Sequence, residues 1–215
     1  MAPHPNTALA SAIHRACDLL IERDISDDVR DQALEHIENA VSLLSNGRTR
    51  TEGERVQAFL HAIAPDPSDG HIRPGDLMTV FDASPYSGAA NALRPTDVRY
   101  VAIENGVEAT VTMGTALEGR PGRAHGGATA AIFDDVMGGV QRIIRRSGYT
   151  RSLTVDYYAP LPTDEPVIFT AIFTGAESGR FILEGEAKHD GRTIARARGV
   201  FTEVSLETFG ATPNE

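Results

Sequence analysis

Residues 122–139 read GRAHGGATAAIFDDVMGG. They gather the residue types that acyl chemistry uses: His125, the pair Gly126-Gly127, and two carboxylates, Asp134 and Asp135, set inside an apolar run. The first N–H groups of a helix have no internal partner. They carry partial positive charge, and glycine, with no Cβ, lets a ligand atom come close. Such a helix start can hold a carbonyl oxygen that turns negative during acyl transfer. A carboxylate nearby can orient or deprotonate a water, or attack the carbonyl itself. The same residues also admit a plain structural use, with Gly-Gly as a tight turn, a mid-helix aspartate facing solvent and a histidine bonded to backbone.

A helical wheel at about 100° per residue separates the two aspartates. Ala128, Ile132, Val136, Val140 and Ile144 form one ridge, which Phe133, Met137 and Ile143 widen. That broad apolar face is expected to lie on a sheet. Asp134 points away from it and shares a face with Gly127, Ala130, Ala131, Gly138 and Gln141. Small residues there leave room for something to approach. Asp135 turns toward Arg142 and Arg146 and reads as a rim charge. Gly127 and Asp134 lie about 10 Å apart along the helix axis. One carbonyl carbon and its attacking water need contacts of about 3 Å. An antiparallel second copy of the helix would bring one chain's Asp134 beside the other's Gly127, so if both act, the site is shared across a twofold dimer.

The elements that must position this helix follow from periodicity. Apolar residues at helical spacing predict helices over 7–24 and 27–45. Thr51 and Glu54 have capping-box spacing and open a third helix, which Pro65 ends. A Pro/Gly-rich connection places a boundary near residue 69, giving an N-terminal helical extension, 1–69, and a second unit, 70–215. Beyond it, strands are expected over 77–81, 98–103, 107–113, 151–158, 166–174, 180–188 and 193–204, with the long helix at 127–146. Asn105-Gly106 and Asp190-Gly191 mark two hairpins. The fold class is α+β, an antiparallel sheet with one long helix on one face.

Bulk properties narrow the partners. The chain has 215 residues, a formal net charge of −10 and a sequence pI of about 5.1. A nucleic-acid binder needs a basic face, which this balance opposes. A few local arginines can still hold a phosphate inside an acidic protein. Cys17 is the single cysteine, so no internal disulfide forms, and neither it nor His4, His14, His36, His61 and His71 has metal-site spacing. No metal and no redox cofactor are expected. Arg15, Asp18 and Glu22 interrupt the first apolar run too early for a signal peptide. No stretch reaches the roughly 20 apolar residues of a membrane span, and the expected setting is the cytoplasm.

The run EGRPGRAHGGATAAIFDD, residues 118–135, resembles the signature of hotdog-fold acyl-CoA thioesterases, in their phenylacetyl-CoA-thioesterase-like branch. The closer likeness is to the subgroup that includes the carboxyl-terminal modulator protein. That signature is E-G-x-P-G-x-x-H-G-G with an aspartate nine residues after the histidine, and Glu118, Gly119, Pro121, Gly122, His125, Gly126, Gly127 and Asp134 all fit. TRSLTVDYYAPLP, residues 150–162, resembles the family's strand after the helix. The resemblance covers about residues 75–205 and implies a hotdog fold, a curved antiparallel sheet wrapped around one helix. It implies that Asp134 is the catalytic carboxylate, that the Gly127 N–H is the oxyanion donor, that His125 shapes the loop and polarises the thioester, and that Thr150 hydrogen-bonds the carboxylate or water. Gly126 would adjoin the substrate. Asp156 and Tyr158 stand where relatives place Asn and a basic residue that meet coenzyme A, a departure from the pattern. Arg180 occupies a turn where relatives carry basic residues, and Arg151 is a further candidate for the nucleotide. Coenzyme A enters as part of the substrate, and the site lies between two protomers of a homodimer or a dimer of dimers.

Two other readings differ in class. One is a hotdog dimer that binds acyl-CoA or a partner without turnover. The other is a dehydratase or hydratase of acyl thioesters. Such relatives pair a histidine with a carboxylate on the central helix, whereas His125 precedes the helix here.

Overall fold

The computed structural model describes residues 6–63, 72–78, 84, 86–88, 91 and 95–205. Three helices come first: α1 (Thr7–Glu22), α2 (Asp27–Ser45) and α3 (Glu52–Ile63). The capping box that opens α3 is present. Glu54 N–H donates to Thr51 Oγ1 at 3.2 Å, and Thr51 N–H donates to Glu54 Oε2 at 2.8 Å.

These helices differ in what they bury. α1 buries Ala10 and His14 against a short 3-10 turn, Thr115–Leu117. Asp18 accepts from the Ala116 N–H at 2.8 Å, and Glu22 accepts from the Thr115 hydroxyl at 2.7 Å. α2 buries none of its residues and leaves Val29, Leu34, Ile37, Val41 and Leu44 exposed. Of these first two helices, α1 buries part of its stripe within one chain and α2 buries none of its own. The boundary near residue 69 lies outside the described residues. Of the strand expected at 77–81, Leu77 forms a bridge with Val101 and the Met78 N–H donates to Tyr100 O at 3.0 Å; residues 79–81 lie outside the described residues.

Next come β1 (Asp97–Ile103) and β2 (Gly106–Thr112), then a small two-stranded hairpin, β3 (Glu118–Arg120) with β4 (Arg123–Ala124). α4 (Gly126–Ile144) follows, then β5 (Ser147–Tyr157), β6 (Pro166–Glu177), β7 (Arg180–His189) and β8 (Arg192–Val204). Six strands form one antiparallel sheet in the order β1-β2-β6-β7-β8-β5. Both hairpin signals hold. Asp190 and Gly191 take φ of 49° and 74°, as a two-residue hairpin turn requires. Gly106 serves close approach instead, since a Cβ there would stand 2.2 Å from Ala171 O.

The sheet wraps α4. Ile132, Phe133, Val136, Met137 and Val140 are fully buried against inward residues Val107, Val111, Phe169, Leu183 and Phe201. Phe133 meets Phe169 edge to face at 5.0 Å, and Gly185 leaves room for the Phe133 ring. One sheet edge is covered: Met78 N–H donates to Tyr100 O and Ala102 N–H donates to Asp76 O, both along β1. The other edge is β5, whose outer side has no strand beside it among the described residues.

Candidate active site

The loop before α4 is built by its glycines and one carboxylate. Glu118 Oε1 accepts from the Gly122 N–H and from the Thr163 hydroxyl, each at 2.7 Å, which closes the β3–β4 turn. Gly122 sits at φ 72°, a region that favours glycine. Gly119 makes room for His125, because a Cβ there would stand 3.1 Å from the histidine Cα. His125 N–H is fixed by Leu117 O at 2.8 Å. Strands of three and two residues are too short to show a period, so the sequence did not announce this hairpin.

His125 is the N-cap of α4, and its Nδ1 accepts from the Gly127 N–H at 2.9 Å. A backbone N–H can only donate, so Nδ1 must carry a lone pair, and the neutral ring then holds its proton on Nε2. The expected oxyanion donor, the Gly127 N–H, is therefore engaged by its own neighbour. A carbonyl oxygen reaches it only by sharing or displacing Nδ1. The outward donor at this helix start is His125 Nε2–H, on an exposed ring.

Asp134 lies on the open side of α4 and accepts from the Thr150 hydroxyl at 2.9 Å. Partial burial pushes its carboxyl above the usual carboxylate range; the Thr150 bond draws it back down, and the charge of Asp135 adds to the rise. A bulge in β5 between Thr150 and Ser152 lets Thr150 face α4 while Leu153 and Val155 also face inward. Strict alternation would have put Thr150 on the side of Ser152.

Asp135 is not a rim charge. It accepts from the Tyr100 hydroxyl at 2.7 Å and from the Ser84 hydroxyl, and so ties α4 to β1 and to residue 84. The wheel gave its direction correctly but not the neighbour: Tyr100 occupies that side, and Arg146 instead pairs with Glu203 at 3.0 Å. Next to that carboxylate, burial holds the Tyr100 hydroxyl well above its ordinary value. Asp135→Asn should lower unfolding stability by about 1–3 kcal/mol, because the amide keeps only one of the two oxygens that accept from the Tyr100 and Ser84 hydroxyls. Denaturant unfolding checks this, and an unchanged midpoint would contradict it.

A cleft of about 360 Å³ opens at the first turn of α4, lined by Gly126, Thr129, Tyr157 and Tyr158 among others. Tyr157, which sequence reasoning passed over for Tyr158, donates its hydroxyl to Gly126 O at 2.6 Å. Counting in twos from Leu153 and Val155 puts Tyr157 on the inner face, a usable signal. The register sends other candidates away from Asp134. Asp156 pairs with Arg196 and Arg180 with Thr202, both on the outer face of the sheet. Arg151 is the bulge residue and is exposed. Within one chain the structure thus joins Asp134 to Thr150 and His125 to Gly127, with Gly126 and Tyr158 on one cleft, and it leaves Asp156, Arg180 and Arg151 apart. Among the described residues no cluster of three His, Cys, Asp or Glu could hold a metal ion, and no helix is long and apolar enough to cross a membrane.

One solved structure, a thioesterase superfamily protein, superposes with a TM-score of 0.77 at 21% identity over 94% of this chain and 93% of that one. The chain has the hotdog fold of that superfamily. Coverage this wide means that the hotdog is shared together with the helices before it. Human acyl-coenzyme A thioesterase THEM5 is 30% identical over 96 residues, 44% of this chain. The chain spans only 39% of the length of that curated relative. A hypothetical thioesterase of Streptococcus pneumoniae crystallised with coenzyme A is 16% identical, with a TM-score of 0.48 over 51% of this chain and 88% of that one. No family model matches the chain.

Proposed function

We propose that this hotdog protein is an acyl-CoA thioesterase that hydrolyses an acyl-CoA to a free acid and coenzyme A. The observation that carries the reading is Asp134: a carboxylate on a helix face that is otherwise small, oriented by Thr150 and held above its usual range by burial. A base poised nearer neutrality takes a proton from water more readily. Water adds to the thioester carbonyl as Asp134 accepts its proton. His125 Nε2–H, at the start of α4, donates to the oxygen that becomes negative. The tetrahedral intermediate then expels the coenzyme A sulfur, to which the proton returns. The likeness to THEM5 over 96 residues supports the substrate class.

The working unit in this reading is a dimer. Asp134 and His125 stand nine residues apart on one helix, roughly 13 Å along its axis. β5 is an 11-residue strand with an open side, and such an edge is a template for another chain. Antiparallel pairing of β5 with its copy would set the two α4 helices side by side in opposite directions. Each site would then take its carboxylate from one protomer and its helix start from the other.

The test is a panel of acyl-CoA thioesters of increasing chain length, followed by the appearance of free coenzyme A thiol. Multiple-turnover thiol release is the expected result. Tight binding of acyl-CoA without release would replace the hydrolase by a non-catalytic acyl-CoA-binding dimer.

A further inference from the structure

The cleft at the start of α4 does not end at Tyr158. Ala159 and Pro160 form its far wall and also line a second cleft of about 490 Å³, bounded by Arg123, Pro162, Glu165, His189, Asp190, Arg192 and Ile194. The two clefts therefore adjoin at these two residues, and a path over them leads from the helix start toward the tip of the β7–β8 hairpin. Its near half is mostly apolar and aromatic, and its far half is charged.

The charges there are not equivalent. Glu165 is engaged by His189 at 2.8 Å, and Asp190 stands out in solvent at the hairpin turn with its side chain 86% exposed. Arg123 makes one bond, from a guanidinium nitrogen to Gly122 O at 3.1 Å, and Arg192 is exposed. Neither guanidinium meets a carboxylate among the described residues. Two forked cations with unused donors, one on β4 and one on β8, line this cleft, and a guanidinium fork takes phosphate oxygens in a bidentate pair as it takes a carboxylate. Arg123 lies three residues before Gly126, at most about 10 Å along the chain, so a ligand can span both ends of the path.

We infer that Arg123 and Arg192 form the subsite for the phosphates of the coenzyme, with its pantetheine arm lying across Ala159 and Pro160. This rests on the thioesterase reading and adds residues to it. It takes the phosphate contact away from Arg180 and Arg151, neither of which lines either cleft.

The test uses Arg123→Gln and Arg192→Gln, singly and together, on the full chain with three substrates of one acyl group: acyl-CoA, acyl-dephospho-CoA and acyl-pantetheine. Each substitution should raise KM for acyl-CoA on the order of tenfold, the loss of one charge-assisted contact. The penalty should vanish on acyl-pantetheine, which carries no phosphate, and a merely structural defect would not spare it. If the penalty persists on acyl-dephospho-CoA, the arginines hold the diphosphate; if it disappears there, they hold the ribose phosphate. Both results support the subsite. An unchanged KM for acyl-CoA in the double variant, or an equal rise on acyl-pantetheine, would overturn it. Should the wild-type protein hydrolyse none of the three, the thioesterase reading fails on its own, and calorimetry with desulfo-coenzyme A then decides the subsite. Binding that the double variant loses upholds it, and no binding, or equal binding by both proteins, overturns it.

Discussion

Asp134→Asn should lower the turnover number for acyl-CoA hydrolysis by about 10²–10⁴-fold, the usual contribution of a positioned base. Asparagine keeps the shape, and its carbonyl oxygen can still accept from the Thr150 hydroxyl, so the fold and the unfolding midpoint should hold. What is lost is the ability to take a proton from water. Asp135→Asn has the opposite pattern. It turns one of the two oxygens that accept from Tyr100 and Ser84 into an amide NH2, which cannot accept, and should show first in stability, with a turnover number much nearer the wild type. Two adjacent carboxylates thus part into one measured by rate and one measured by unfolding. Equal loss of turnover in both, or none at Asp134, would sink the assignment.

Mixed dimers give the second large effect. A chain carrying Asp134→Asn keeps an intact helix start. A chain carrying His125→Ala keeps an intact Asp134 but loses the cap that holds the Gly127 N–H. Either homodimer should be nearly inactive. Random mixing makes half of the dimers mixed, and each of these has one complete site of two, so activity should return to about a quarter of wild type if sites are shared between chains. If mass spectrometry confirms mixed dimers and no activity returns, each site is built within one chain.

Much of the fold could be read along the chain because its signals are local. The apolar ridge from Ala128 to Val140 repeats at helical spacing over about three turns, and Asn105-Gly106 and Asp190-Gly191 announce their hairpins. Contacts from distant residues could not be read this way. Nothing near Asp135 in sequence indicates that Tyr100 and Ser84 will reach it, and the β5 bulge that turns Thr150 toward Asp134 breaks the very alternation used to find strands. The glycine signature marked the helix start but did not reveal that His125 Nδ1 would take the Gly127 N–H. That arrangement follows from a ring folded back over its own helix, held by Gly119 and Leu117. Arg192 lies in a strand without any motif, and only the closing of the sheet brings it near Arg123.

In the proposed mechanism an ionised carboxylate with a raised pKa, Asp134, does the chemistry. Its most direct test is the turnover number as a function of pH under saturating acyl-CoA, in the wild type and in Thr150→Val. A base works only when ionised, so the rate should be full at higher pH and fall as pH drops through the pKa of the carboxyl. Burial is the first cause of the raised value, and the fall should centre above the ordinary carboxylate range of about 4. The Thr150 bond lowers that value, so its loss should move the acid limb to still higher pH. A limb centred at an ordinary carboxylate value, or one that Thr150→Val leaves in place, would contradict the account.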